Sequence, residues 1–192
     1  FGKTSVWKAG MADTAVQLAP RGYGRSSMHL YEALQMGLFS VYVFDDEKWL
    51  AYDASPHNTV VDMGSGIGGP ARYIAHTIGC RVSGIDLTAS FVATANKLSE
   101  LTGLPDRARF QLASALDTPF DDDTFDRAVT IQMQMGIADK DAFYREVFRI
   151  LKPGGVFVFQ DLVAGPNDGP LNMPTPWASE QHHSHLYLPN DL

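Results

Sequence analysis

The run Asp62-Met63-Gly64-Ser65-Gly66-Ile67-Gly68-Gly69 constrains this 192-residue chain more than any other stretch. It follows the short apolar segment Thr59, Val60, Val61, Asp62, which reads as a strand, and precedes Pro70, a residue favoured in the first turn of a helix. A glycine-rich turn between a strand and a helix permits positive φ and lets a ligand lie against bare backbone. Gly64, Gly66 and Gly69 satisfy the dinucleotide pattern G-x-G-x-x-G. Asp86 follows about 20 residues later, where an acid that accepts hydrogen bonds from ribose hydroxyls is expected. At this point a nicotinamide-dependent oxidoreductase remains open.

The same alternation continues downstream. The helix after the glycine turn places Ala71, Ile74 and Ala75 on its buried side and ends at Gly79. Val82 to Ile85 reads as a second strand, with Thr88 as N-cap of a helix through Leu98 and Leu101 that stops at Gly103. Ala108 to Leu112 and Asp126 to Ile131 read as strands three and four. Asp139 caps a helix carrying Phe143, Val147 and Leu151 at helical spacing, Lys152-Pro153-Gly154-Gly155 breaks it, and Val156 to Phe159 is strand five. Strand and helix alternating from about residue 59 to about residue 161 predict a doubly wound α/β fold, a parallel sheet covered by crossover helices. Ligands bind at the carboxyl edge of such sheets.

Composition excludes several functions. The formal charge of −7 disfavours a phosphate backbone as partner, because that mode needs clustered Lys and Arg. No nucleic acid is expected. The sequence holds no run of about 20 uninterrupted apolar residues and no secretory leader pattern, so no membrane span is expected and the reading is cytoplasmic. Cys80 is the single cysteine, so neither an internal disulfide nor a thiolate zinc site can form, and no metal is expected.

Taken in order, the motifs resemble those of class I S-adenosylmethionine-dependent methyltransferases over roughly residues 58 to 162. Asp62 with Gly64, Gly66 and Gly68 matches the pattern (Asp or Glu)-x-G-x-G-x-G. Ser114, Ala115, Leu116, then Pro119, Phe120 and Phe125, Asp126 resemble the segment that holds adenine. Leu151-Lys152-Pro153-Gly154-Gly155 resembles the turn before strand five. An acid beside the turn suits a cation, whereas a pyrophosphate would be repelled by it. Gly68-Gly69-Pro70-Ala71-Arg72-Tyr73 and Gly79 through Leu87 are similar to the small-molecule branch that includes sarcosine/dimethylglycine N-methyltransferases and tocopherol-type methyltransferases. Within the segment from Tyr23 to Glu47, Tyr23 and Tyr31 resemble lid residues.

The resemblance implies a Rossmann-like core at 58–164, an N-terminal helical cap at 1–57 and a substrate-side loop at 165–192. It implies S-adenosyl-L-methionine as cofactor, held by Tyr23, Asp62, Gly64, Ser65, Gly66, Gly68, Asp86, Leu87, Ser114, Ala115, Leu116 and Gln132, and a small-molecule methyl acceptor. Two positions depart from the pattern. Met133 and Ile137 stand where relatives place an acid and a histidine, so no catalytic base carries over, and Ser114 stands where an Asp often reads the adenine amino group. A cofactor-binding domain without catalysis is therefore a further alternative. His182, His183 and His185 are the weak candidates for a base on the tail, with no carboxylate fixed beside them by spacing, and incidental surface histidines are the commoner outcome. The aromatics Phe39, Tyr42, Phe44, Trp49 and Trp177 can wall a pocket.

The strands that normally finish such a sheet after strand five are not apparent. The edge is then exposed or completed by another chain, which makes a homo-oligomer possible. The chain is expected to be part of a longer protein.

Overall fold

The computed structural model describes residues 3–8, 16–18, 54–162, 164, 171–175 and 177–187. In order they form β1 (Lys3–Lys8), β2 (Val16–Leu18), β3 (Thr59–Met63), α1 (Gly69–Thr77), β4 (Arg81–Asp86), α2 (Ala89–Leu101), β5 (Ala108–Leu112), β6 (Phe125–Ile131), α3 (Lys140–Ile150) and β7 (Leu151–Asp161). Short 3-10 turns occupy Gln134–Gly136 and Gln181–His183.

The described strands build one sheet in the order β2-β1-β7-β6-β3-β4-β5. β3 to β7 are parallel neighbours, as the alternation of strand and helix requires. Val60 and Val61 point to opposite faces of β3, as the two-residue period dictates, and each joins a different apolar cluster. Val60 packs with Ala71, Ile74 and Ala75 of α1 and Ala95 of α2. Val61 packs with Phe143, Val147 and Ile150 of α3. Sheet winding reverses at β3, which has β4 on one side and β6 on the other. Met63, Asp86, Leu112, Ile131 and Asp161 end their strands along one edge, beside this switch point.

Four local expectations are corrected. Lys3–Lys8 and Val16–Leu18 are strands, not parts of a helical cap, while the other residues before 54 lie outside the described set. β1 runs antiparallel to β7 from Lys3↔Asp161 to Lys8↔Val156, so the edge expected to be open is paired within the chain. The unmatched N–H and C=O groups of β7 select a partner, and a Thr-, Val- and Trp-containing segment meets the strand requirement. Helix α3 ends at Ile150, and Leu151 begins β7. Lys152-Pro153-Gly154-Gly155 forms a bulge inside that strand, where the register moves from Phe125↔Leu151 to Arg127↔Val156 and Gly154 takes φ 79°. Finally, Thr88 makes no side-chain cap for α2. Asp139 does cap α3, its Oδ1 accepting from the Ala142 N–H at 2.8 Å.

Candidate active site

The glycine turn is shaped by its backbone. Gly64, Gly66 and Gly68 have φ of 79°, 54° and 76°, in the left-handed region that favours glycine. These are the three glycines of the (Asp or Glu)-x-G-x-G-x-G pattern, whereas Gly69 begins α1 without positive φ. The N–H groups of Gly64 and Ser65 donate to the Ile85 carbonyl at 2.9 and 2.8 Å, which ties the turn to the end of β4. A Cβ on Gly64 would meet Met133 Cγ at 2.3 Å, and one on Gly68 would meet Phe110 Cζ at 2.3 Å. A Cβ on Gly66 would meet no atom of the described residues within 4 Å. The turn is therefore packed from below at two glycines and open at the middle one.

Two carboxylates flank it. Asp86 Oδ2 accepts from the Gly66 N–H at 2.9 Å and Oδ1 from the Thr88 N–H at 2.8 Å. The same side chain thus fixes the glycine turn and the entry to α2. Each carboxylate oxygen keeps a lone pair for a further donor. Asp62 is 2% exposed, and its Oδ2 has no hydrogen-bond partner among the described residues. Burial, and then the Asp86 carboxylate, push the Asp62 carboxyl up to about 7. Ser65 is also buried, with a hydroxyl that has no partner among the described residues and lies 2.8 Å from where a Cβ on Gly84 would stand. Buried polar atoms without partners are rare, and two of those among the described residues, Asp62 Oδ2 and Ser65 Oγ, lie at the glycine turn.

Beyond β4, Leu87 is 74% exposed, and Leu116 is 41% exposed in the loop after β5. Ala115 is half-buried against the α3 side of the core. The Ser114 hydroxyl accepts from the Leu116 N–H at 3.1 Å, so it shapes its own loop. Gln132 has φ 50° and donates its N–H to the Gln160 carbonyl at 2.7 Å. The sheet edge thus gathers Asp62, Gly64, Ser65, Gly66, Gly68, Asp86, Leu87 and Gln132, with Ser114, Ala115 and Leu116 on the next loop. Tyr23 lies outside the described residues, as do Tyr31, Phe39, Tyr42, Phe44 and Trp49.

The histidines separate into two kinds. His182 and His183 are exposed, and His182 Nδ1 stands 3.3 Å from Glu180 Oε2, a carboxylate partner that spacing alone did not reveal. The backbone of His185 is tied to the turn after β6 by its N–H, which donates to the Met135 carbonyl at 2.8 Å. Trp177 donates its ring N–H to the Ser184 hydroxyl at 2.9 Å.

Sequence reasoning missed a polar group beside Gln132. Asp161, 2% exposed, accepts from the N–H groups of Gln134 at 2.6 Å, Met133 at 3.1 Å and Leu162 at 2.8 Å. Burial pushes its carboxyl up, opposed by these donors. Tyr144 donates to Gln134 Oε1 at 2.6 Å, and Gln134 Nε2 is buried without a partner among the described residues. An acid directly after the apolar run Val156 to Phe159 was the available signal, since Asp62 and Asp86 occupy comparable strand ends.

Comparison with known proteins identifies the family and the fold. A family model described as a methyltransferase domain matches residues 61–159, more than half of the chain. The chain is 34% identical to the chloroplastic tocopherol O-methyltransferase of Arabidopsis thaliana over 143 residues, which cover 74% of this chain and 39% of that protein. A geranyl diphosphate C-methyltransferase from Streptomyces coelicolor A3(2), solved with Mg2+, geranyl-S-thiolodiphosphate and S-adenosyl-L-homocysteine, superposes with a TM-score of 0.63. It is 26% identical, with 76% of this chain and 54% of that chain covered. A putative sarcosine dimethylglycine methyltransferase from Galdieria sulphuraria shares the fold at a TM-score of 0.57 and 24% identity, over 60% of this chain and 45% of that one. The match spans 30% to 40% of the length of the first curated relatives. By family model, motif order and fold, the chain belongs to the class I S-adenosylmethionine-dependent methyltransferases.

Proposed function

We propose that the carboxyl edge of this sheet holds S-adenosylmethionine and that the protein transfers its methyl group to N, O or C of a small molecule. One observation carries the reading. Asp62, a fully buried carboxylate with an oxygen that has no partner among the described residues, lies beside a glycine turn that those residues leave open at Gly66. A buried acid is stabilised in its charged form by an adjacent cation and destabilised by an adjacent diphosphate. The nicotinamide alternative has no counterpart among the relatives described above, and the positive φ values fall on the methyltransferase glycines.

The cofactor, when bound, supplies a methyl group on a cationic sulfur. Asp62 holds the cationic end by charge, and Gly64 to Gly66 offer bare backbone with room above Gly66. Asp86 accepts from the ribose hydroxyls with the lone pairs left free by Gly66 and Thr88. Leu87, Ala115 and Leu116 cover the adenine faces, which removes exposed apolar surface from water, and Ser114 offers its hydroxyl to the adenine edge. Gln132 reaches the methionine end. Tyr23 and the aromatic segment around it complete the lid in this reading. In-line displacement is accelerated chiefly by holding nucleophile, carbon and sulfur collinear. The turn Gln132 to Ile137 carries no titratable side chain. The acceptor is therefore one whose nucleophile needs no base from that turn, or one served from the tail, where His185 is fastened to it.

The test is a labelled-methyl transfer screen over amines, phenols and isoprenoid chains with the full chain. Transfer of label to a small molecule, abolished by Asp86→Ala, is expected. Bound cofactor with no transfer to any acceptor class would instead favour the non-catalytic binding domain.

A further inference from the structure

Lys140 opens α3, where a cation opposes the helix dipole, and it is nevertheless only 7% exposed. A buried ammonium must satisfy three donors. Its Nζ donates to the carbonyls of Gln134, Ile137 at 2.8 Å and His185 at 3.1 Å. Two of these acceptors belong to the turn that follows β6. The third lies 45 residues away on the tail. The Tyr187 ring stands over the same ammonium, 4.8 Å from Nζ to the ring centroid.

Other contacts run in parallel. The His185 N–H donates to the Met135 carbonyl at 2.8 Å, the Tyr187 hydroxyl to the Ala138 carbonyl at 3.2 Å, and the Ala164 N–H to the Tyr187 carbonyl at 2.8 Å. The turn itself is gripped from its other side by the Asp161 carboxylate, which accepts the Met133 and Gln134 N–H groups. Met133 in turn lies against Gly64 of the glycine turn. Lys140 is thus the node at which the tail meets the segment that carries Gln132 and Met133.

The geometry assigns Lys140 a positioning role: its ammonium fastens residues 177–187 to the turn after β6, and that docking sets the placement of Gln132 and Met133 beside the glycine turn. The consequence for cofactor affinity rests on the function proposed above, whereas the fastening does not. Because the turn and the tail each supply acceptors to one buried cation, loosening either leaves an ammonium donor without its partner, so the two segments order together.

Hydrogen exchange on the full-length chain, with and without S-adenosylhomocysteine, tests this in wild type, Lys140→Met, Tyr187→Ala and the double variant. The Met side chain keeps the stem and removes the donors. Exchange across 177–187 is expected to rise at least about tenfold in Lys140→Met, the factor that corresponds to one lost charge-assisted hydrogen bond. Amides of β3 and β4 are expected to keep their protection. Affinity for S-adenosylhomocysteine, read by calorimetry, is expected to fall several-fold. Tyr187→Ala is expected to loosen the same residues through the lost ring and the lost Ala138 contact, and the double variant is expected to fall short of the product of the two single effects, since the ring and the ammonium share one node. Unchanged exchange of the tail in Lys140→Met overturns the proposal, and so does a loosened tail with undiminished affinity. If Lys140→Met does not fold, Tyr187→Ala decides by the same two readouts. If wild type binds no S-adenosylhomocysteine, the proposed function fails and the exchange comparison still decides the fastening.

Discussion

Replacing Asp62 by Asn separates what this side chain does for stability from what it does for binding. Its carboxyl rises from an ordinary 3.8 to about 7 in the fold, first through burial and then through Asp86. A folded-state value above the unfolded one means that the native state keeps a proton which the unfolded chain releases between about pH 4 and pH 7. Stability therefore falls as pH rises through that window. The penalty is absent below about pH 4 and fully present above about pH 7. Three units at about 1.4 kcal/mol each make it about 4 kcal/mol. Asn does not titrate, so the variant lacks this slope. Its amide brings a buried donor with no partner among the described residues, a constant penalty of about 1–3 kcal/mol. Asp62→Asn is thus expected to be less stable than wild type at pH 4.5 and more stable at pH 8. The assay is urea unfolding at pH 4.5, 6 and 8 without cofactor, with unchanged m-values. A difference between variant and wild type that stays constant across pH would mean that Asp62 does not titrate in this window. At pH 8 the stabilised variant is expected to bind S-adenosylmethionine at least about tenfold more weakly, since one charge interaction is lost.

Three other changes probe the surroundings. Gly68→Ala places a methyl 2.3 Å from the Phe110 ring at φ 76°, and a loss of about 3 kcal/mol in chemical unfolding is expected. Gly66→Ala meets no described residue within 4 Å, so about 1 kcal/mol of backbone strain is expected, with loss of most cofactor affinity in a binding titration. The Arg149 guanidinium, aided by Thr118, holds the Glu146 carboxyl down at about 2. The stability this contributes is complete above pH 4.5 and is lost as pH falls toward 2. Glu146→Gln should then lose about 2 kcal/mol at pH 7 in thermal or urea unfolding, and the deficit should shrink on acidification.

The parallel core was legible because each of its elements is specified locally. Thr59 to Asp62 is a mostly apolar run that stops at a glycine cluster, Val82 to Ile85 is a short run between Gly79 and Asp86, and Phe143 with Val147 shows helical spacing. The site acids Asp62 and Asp86 were found because they stand at strand ends next to a readable turn. β1 and β2 were not legible, since a short edge strand is defined by its partner, and the edge of β7 is remote from Lys3–Lys8 in sequence. The end of α3 moved by one residue because Ile150, not Leu151, completes the helical face, while Leu151 is buried as the first residue of β7. Lys140 was invisible for a physical reason. A lysine in the first turn of a helix ordinarily reads as a solvated side chain, and only carbonyls converging from 134, 137 and 185 make a buried ammonium tolerable there. The carboxylate of Glu180 beside His182 likewise depends on a local fold of the tail that spacing does not encode.

In the proposed function, the Asp62 carboxylate and the open turn at Gly66 select a cationic sulfur compound over a diphosphate. Calorimetric titration of the full chain at pH 8 with S-adenosylmethionine, and separately with oxidised and reduced nicotinamide dinucleotides, addresses it directly. The expected result is saturable binding of S-adenosylmethionine, weakened by Asp62→Asn, and no heat from either dinucleotide. Saturable dinucleotide binding, with S-adenosylmethionine silent, would mean that the turn takes a diphosphate and that Asp62 does not select a cation.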